Sequence, residues 1–302
     1  MNTMNTPHRS IPSISTFRRA SRRLGVLLLS ALPGLGLAGC MAGAFKAETT
    51  QSSSVADGKS LFVSAENGRV ELIKDPSSAE VRVEAKVRCS GATQAEADGR
   101  LAQSRLVAVR DEAGCVRVSV EFPARSGVSW GWPDDSASIT VRAADLSGIE
   151  VVTSNGAIAS AGFSGQATLV TSNGRISVDG HDGPVTARSS NGAIVVSGVR
   201  SLSARTSNGR IEAALAEGAA GDVELDSSNG AVSLVLPASW RGVVTAETSN
   251  GSIDLKGGSV RKHDGSKSMT VGDAAGASAK ATIETSNGRV QVRVAGATDT
   301  RN

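Results

Sequence analysis

Apolar and polar residues alternate in short runs through the second half of the chain, always in one phase relative to a recurring Asn. Four positions before it stand Val151, Leu169, Ala187, Ala204, Leu225, Ala246 and Ile283. Three positions after it stand Ile158, Ile176, Ile194, Ile211, Val232, Ile253 and Val290, and five after it Ser160, Val178, Val196, Ala213, Leu234, Leu255 and Val292. Period two on both flanks predicts a short strand, a turn and a second short strand in every unit. The phrase at the turn is Thr-Ser-Asn-Gly at 153–156, 171–174, 206–209, 248–251 and 285–288, with Ser in first place at 189–192 and 227–230. A weaker echo is Glu66-Asn67-Gly68. The Asn residues (Asn155, Asn173, Asn191, Asn208, Asn229, Asn250 and Asn287) are 18, 18, 17, 21, 21 and 37 residues apart, a rhythm of stacked units. Both Asn and Gly tolerate positive φ, so Asn-Gly is read as the turn itself.

Two all-β arrangements satisfy this pattern. Asn-Gly between alternating strands is a hairpin signal and would give an antiparallel meander. A parallel β-solenoid of about 17–21-residue coils would instead stack equivalent residues about 4.8 Å apart, and a column of Asn side chains could then form a hydrogen-bonded ladder. Asn in all seven units favours the column, since Asp-Gly or Gly-Gly would serve a hairpin equally well. One coil buries too few side chains to offset the ordering of its backbone, so stability has to come from neighbours. In chain order Asn287 ends the column, and removing it should matter less than removing Asn208.

Upstream, residues 57–145 alternate less regularly, at Leu61/Val63, Val70/Leu72, Val81/Val83/Ala85/Val87 and Val116/Val118/Val120/Phe122. Thr93-Gln94-Ala95-Glu96 resembles a capping box and opens a helix running to about Ser104. Residues 146–296 hold the repeats and 297–302 a tail. Lys256–Lys280, rich in Gly, Ser and Lys, reads as a loop or disordered excursion before the last unit.

The first 39 residues read as an export signal. Arg9, Arg18, Arg19, Arg22 and Arg23 precede the apolar run Leu24–Leu37, and the segment ends Leu37-Ala38-Gly39-Cys40. That ending resembles a bacterial lipobox, which implies cleavage before Cys40, acyl chains such as palmitate on the new N-terminal Cys, and stable membrane anchoring. Met41, where an Asp would retain the protein, implies sorting to the outer membrane. Residues 40–56 then read as a flexible tether. Removing the five arginines of the signal leaves 27 basic residues against 29 acids, so the whole-chain net charge of +3 becomes about −2. Such a balance is no nucleic-acid footprint. With Cys40 lipidated, Cys89 and Cys115 are expected to pair in an oxidising compartment; no metal-ligand spacing and no cofactor motif accompanies them.

Candidate chemistry is sparse. Composition is 34 Gly, 3% aromatic residues and no Tyr. The aromatic cluster Trp130-Gly131-Trp132-Pro133 either stacks on a sugar or partner surface or plugs one end of the repeats. Asp179, His181 and Asp182 form the densest polar cluster, but Asp-Gly pairs there are turn makers. The Ser residues of the repeats have only His181 and His263 downstream of the signal to act as a base. Calcium-binding nonapeptide repeats would need acids in every turn. The pattern points to a protein without enzymatic activity.

The export signal, the recurring Ser-Asn-Gly and the closing Thr-Ser-Asn-Gly-Arg-Val-Gln-Val together resemble the bacterial "putative adhesin" family, over residues 57–295. The resemblance implies a β-strand-repeat domain of cell-envelope proteins and carries over no catalytic or binding residue. It leads to the expectation of a lipid-anchored envelope protein binding another protein or a glycan. A structural or envelope-stress component without a ligand, and more distantly a glycan-active enzyme, are the alternatives.

Overall fold

A computed structural model describes residues 45–56, 58–125, 135–263, 265–272 and 279–296. The leader 1–39, Cys40, Trp130 and Trp132 lie outside the described residues. The fold is all-β with one short helix, and its strands join into one open sheet of 21 strands.

In chain order the first part holds β1 (Phe45–Ala56), β2 (Ser60–Ala65), β3 (Val70–Lys74), β4 (Glu80–Gly91), α1 (Gln94–Gln103), β5 (Arg105–Arg110), β6 (Cys115–Glu121) and β7 (Ser136–Ala143). The repeats hold β8 (Gly148–Thr153), β9 (Ile158–Ala161), β10 (Gln166–Thr171), β11 (Ile176–Ser189), β12 (Ile194–Thr206), β13 (Ile211–Leu215), β14 (Val223–Ser227) and β15 (Val232–Leu236). They end with β16 (Gly242–Thr248), β17 (Ile253–Lys256), β18 (Ser259–His263), β19 (Ser266–Val271), β20 (Ala279–Thr285) and β21 (Val290–Val294).

Strands that precede a Ser-Asn-Gly corner pair in parallel with one another, and so do strands that follow one. Leu169 is in register with Val151 and with Ala187, Ala187 with Ala204, and Ala204 with Leu225. Beyond the corner, Val70, Ile158, Ile176, Ile194, Ile211 and Val232 form a second column. These are the two apolar positions of the alternation, and nearly all of them are fully buried. Phe163 and Trp240 are the largest side chains enclosed by this core.

Stacking order departs from chain order at the end. β20 pairs in parallel with β14 on one side and β16 on the other, and β21 lies between β15 and β17. The last unit is therefore inserted between the two units that precede it. Asn287 is an interior rung, and Asn250 is the last, which reverses the expectation that Asn287 ends the column. Lys256–Lys280, expected to be an unstructured excursion, contains the hairpin β18–β19, with β19 antiparallel to β16 along the edge that β20 leaves open.

The opposite end also changes to antiparallel pairing. β6 stacks in parallel on β2 and β7 on β3, after which β5 lies antiparallel to β6, β4 to β7 and β1 to β4. Antiparallel strands thus flank both ends of the parallel stack, where open edges would invite pairing with other chains. Residues 45–56, read from their polar composition as tether, are instead a strand. The buried Gln51 explains why: its amide donates to Ser104 O at 2.9 Å and accepts the Leu106 N–H at 2.6 Å, fastening β1 across the end of α1.

Helix α1 has the expected ends. Glu96 N–H donates to the Thr93 hydroxyl at 3.1 Å, and the Glu96 carboxylate accepts from Ala92 N–H at 2.8 Å. The helix stops at Ser104, whose hydroxyl donates to Arg100 O at 2.9 Å.

The disulfide expected between Cys89 and Cys115 is not formed. The Cys89 sulfur is buried against the Ser104 hydroxyl at 3.3 Å, whereas Cys115 opens β6 with its sulfur toward Val116 O. Burial pushes the Cys89 thiol above the usual range and disfavours the thiolate that oxidation requires. Among the described residues no helix is long and apolar enough to cross a membrane.

Candidate functional site

Each corner is built from three kinds of contact, and together they explain the phrase. The first residue supplies a hydroxyl that works twice. Thr171 Oγ1 accepts the N–H of its own Gly174 at 3.1 Å and donates to Gly156 O of the neighbouring unit at 3.0 Å. Ser189, Thr206, Ser227 and Thr285 repeat both bonds. Ser and Thr interchange at this place because the hydroxyl is what the fold uses.

The glycine answers a different need from the one its sequence context implies. Of the corner glycines only Gly68 has a positive φ, at 118°. The others are glycine because units approach closely there. A Cβ on Gly174 would lie 1.8 Å from Gly156 O, and one on Gly192 would lie 1.7 Å from Gly174 O. The same contact joins Gly288 to Gly230 and Gly251 to Gly288, again in stacking order.

The Asn side chains form a continuous amide ladder. Nδ2 of Asn155 donates to Oδ1 of Asn67 at 2.7 Å, and Asn173, Asn191, Asn208 and Asn229 each donate to the preceding rung at 2.6–2.9 Å. Asn287 donates to Asn229 at 2.7 Å, and Asn250 to Asn287 at 2.9 Å. The echo at Asn67 is thus the first of eight rungs. From Asn155 onward every rung is solvent-exposed, as is the Ser beside it. The result is a continuous polar ridge along the stack, each amide keeping at least one N–H and one oxygen lone pair beyond its bonds to neighbouring rungs.

Two clefts adjoin this ridge. One, of about 620 Å³, opens at the Asn67 end and is lined by Arg100, Arg125, Asp135, Phe122, Asn67 and Asn155 among others. Asp135 is buried there, paired with Arg100 and, at 2.8 Å, with Arg125. Its backbone carbonyl accepts from the Asn67 amide at 3.3 Å, tying the cleft to the first rung. The other, of about 440 Å³, lies beside the last units, where Asp226, Glu284 and Glu247 stand in register.

The cluster Asp179-Gly180-His181-Asp182 is not brought together as a site. Alternation turns the His181 ring into the core, with Nε2 against Gly165 O and Nδ1 without a partner. Burial holds its pKa below the usual histidine range. Asp179 and Asp182 face outward, the first accepting from Ser197 at 2.7 Å and the second pairing with Arg200 at 2.9 Å. A carboxylate on the far side of the strand cannot orient a buried imidazole. Trp240, which the sequence reading passed over, occupies the core near the inserted unit, where its ring lies 2.6 Å from the place a Cβ on Gly242 would occupy.

Comparison with known proteins follows the repeats. A family described as a domain of unknown function (DUF7330) matches residues 168–297. No curated protein matches the sequence. Among solved structures, a putative adhesin from Bacteroides fragilis NCTC 9343 is similar at 14% identity and a TM-score of 0.43, over 82% of this chain and 97% of that one. A putative cell adhesion protein from Clostridium sporogenes ATCC 15579 is similar at 11% identity and a TM-score of 0.32, over 82% and 100% of the chains. A putative lipid binding protein from Parabacteroides distasonis ATCC 8503 is similar at 10% identity and a TM-score of 0.32, over 81% and 96%. Residues 168–297 thus match a domain of unknown function, in a chain similar at low identity to bacterial proteins described as putative adhesins.

Proposed function

We propose that this chain is a lipid-anchored, non-enzymatic cell-envelope protein whose repeats form a parallel β-solenoid and present the Ser-Asn ridge as a binding surface for a protein or glycan. The observation that carries the reading is the ridge itself: eight amide rungs in one continuous ladder, seven of them exposed. Parallel in-register pairing on both sides of the corner supports the solenoid, with coils of 17–21 residues. The lipobox ending at Cys40 supports an anchor at the outer membrane, with the folded chain facing the periplasm or the cell surface.

Fractionation of cells producing the wild type or Cys40→Ala tests the anchor. The wild type should sediment with outer membranes and the variant should be soluble; membrane residence of the variant would refute anchoring. Binding of the purified full chain to arrays of glycans and envelope proteins tests the surface. Retention of a ligand that is lost when ridge residues are substituted supports it, and a chain that binds nothing counts against it.

A further inference from the structure

Two residues beyond each corner Asn, the chain carries a column whose composition makes sense only in stacking order. Backbone N–H groups bond across it from Val70 to Ala157 O, Ile158 to Arg175 O, Ile176 to Ala193 O and Ile194 to Arg210 O. The series continues from Ile211 to Ala231 O, Val232 to Arg289 O and Val290 to Ser252 O. Read along the stack from Arg69, the column is Arg, Ala, Arg, Ala, Arg, Ala, Arg, Ser. In chain order the alternation fails after Ala231, because Ser252 precedes Arg289; insertion of the last unit restores it.

All four arginines are exposed and border the Asn ladder. Repulsion between like charges on adjacent strands explains why two arginines do not meet, but not why every second unit has one. Arg69 and Arg210 have a carboxylate nearby, from Glu71 at 3.3 Å and Glu212 at 2.5 Å. Arg175 and Arg289 have Ser177 and Gln291 at the corresponding positions, and among the described residues no carboxylate pairs with either. The small Ala between successive guanidinium groups leaves the amide rungs open from the side. The ridge is therefore a one-dimensional lattice: a cation every second unit, about 9.6 Å apart, with amide donors and acceptors between.

We propose that this lattice binds a linear acidic polysaccharide lying along the stack, with one anionic group on every second sugar ring. Each arginine meets a carboxylate or sulfate, Arg69 and Arg210 by exchanging for it the solvent-accessible Glu71 and Glu212 that pair with them, and the Asn amides meet ring hydroxyls. The proposal rests on the reading of the ridge as a binding surface and names the ligand class. Nucleic acid fits poorly, because its phosphates recur about every 3.4 Å along a strand, far closer than the arginines, and the chain after the signal carries a net charge of about −2.

The test is titration of the full chain with hyaluronate, which has a carboxylate on alternate rings, against polygalacturonate, neutral dextran, single-stranded DNA and anionic phospholipid vesicles. Arg175→Ala/Arg289→Ala is compared with Lys86→Ala/Arg88→Ala, which removes two cations that lie on β4, outside the arginine column, and pair with Glu48. Unchanged thermal melting of both variants confirms folding. The expected result is hyaluronate binding that weakens with salt, falls at least about tenfold in the ridge variant and is unchanged in the control. Equal loss in both variants, or equal binding of DNA or vesicles, would reduce the effect to general charge and overturn the proposal. Binding of a neutral glycan or a protein insensitive to the arginines would also overturn it while leaving the ridge as a binding surface. Failure of every probe and of the arrays would remove both readings.

Discussion

Replacing Gly192 with alanine should damage this fold out of proportion to one methyl group. The added Cβ would sit 1.7 Å from Gly174 O and 2.4 Å from its carbonyl carbon. Both are backbone atoms that no rotamer change can move, so the two units have to part locally by more than an ångström. Four contacts close by are then broken or stretched: Ser190 N–H and Asn191 N–H to Ser172 O at 3.1 and 2.9 Å, Asn191 Nδ2 to Asn173 Oδ1 at 2.6 Å, and Ser189 Oγ to Gly174 O at 3.2 Å. At about 0.5–1.5 kcal/mol net for each hydrogen bond, the loss is roughly 2–6 kcal/mol, a large part of the 5–15 kcal/mol that is typical of a whole domain. Gly99, inside α1, is the control, because a Cβ there meets nothing within 4 Å. Gly99→Ala should stabilise by about 0.5–1 kcal/mol through helix propensity. Equilibrium denaturation followed by circular dichroism compares the two. A Gly192→Ala variant as stable as the wild type would refute the close approach of units at the corner.

Three further outcomes follow from the same geometry. Asn287→Ala should cost about 1 kcal/mol more than Asn250→Ala, because Asn287 both donates to Asn229 and accepts from Asn250 while Asn250 has one rung beside it; thermal melts giving equal losses would contradict the stacking order. Thr206→Ser should be nearly neutral, whereas Thr206→Val should cost about 1–3 kcal/mol by leaving the Gly209 N–H and Gly192 O unpaired. His181 has its pKa depressed by burial, so its contribution to stability is present above the unfolded value of about 6.5 and is lost as pH falls below it toward the folded value. Stability of the wild type should therefore decline on acidification from pH 7 to 5, and His181→Leu should flatten that part of the profile; an unchanged slope would show that the ring takes up its proton freely.

The parts of this fold legible in the sequence are those set by local pattern. Alternation around each Asn located both buried columns, and the Thr93–Glu96 pair located the helix start. The weak echo at Asn67 proved to be a full rung. What stayed hidden depends on contacts between distant segments. Polar residues 45–56 look like a spacer because nothing local reveals that β4 supplies their backbone partners and that Gln51 bridges α1 to β5. The corner glycines look like turn formers, since a sequence shows Asn-Gly but not the carbonyl of the next unit pressing on it. The 37-residue gap before Asn287 signalled an interruption, yet only the three-dimensional pairing shows that the chain leaves room for its last unit and returns to fill it. The arginine lattice was hidden for the same reason: its period exists in the stack and not along the chain.

The order of rungs can be measured directly by disulfide trapping, with two cysteines placed on the exposed ridge in a Cys115→Ser background. Neighbouring rungs, about 4.8 Å apart, lie within disulfide reach, whereas rungs two apart exceed the limit of about 7 Å between Cα atoms. Asn229→Cys with Asn287→Cys should cross-link rapidly under mild oxidation, and Asn229→Cys with Asn250→Cys should stay reduced. The reverse outcome, with 229 bonding to 250 and not to 287, would mean that the units stack in chain order and that neither the inserted unit nor the alternating arginines exist.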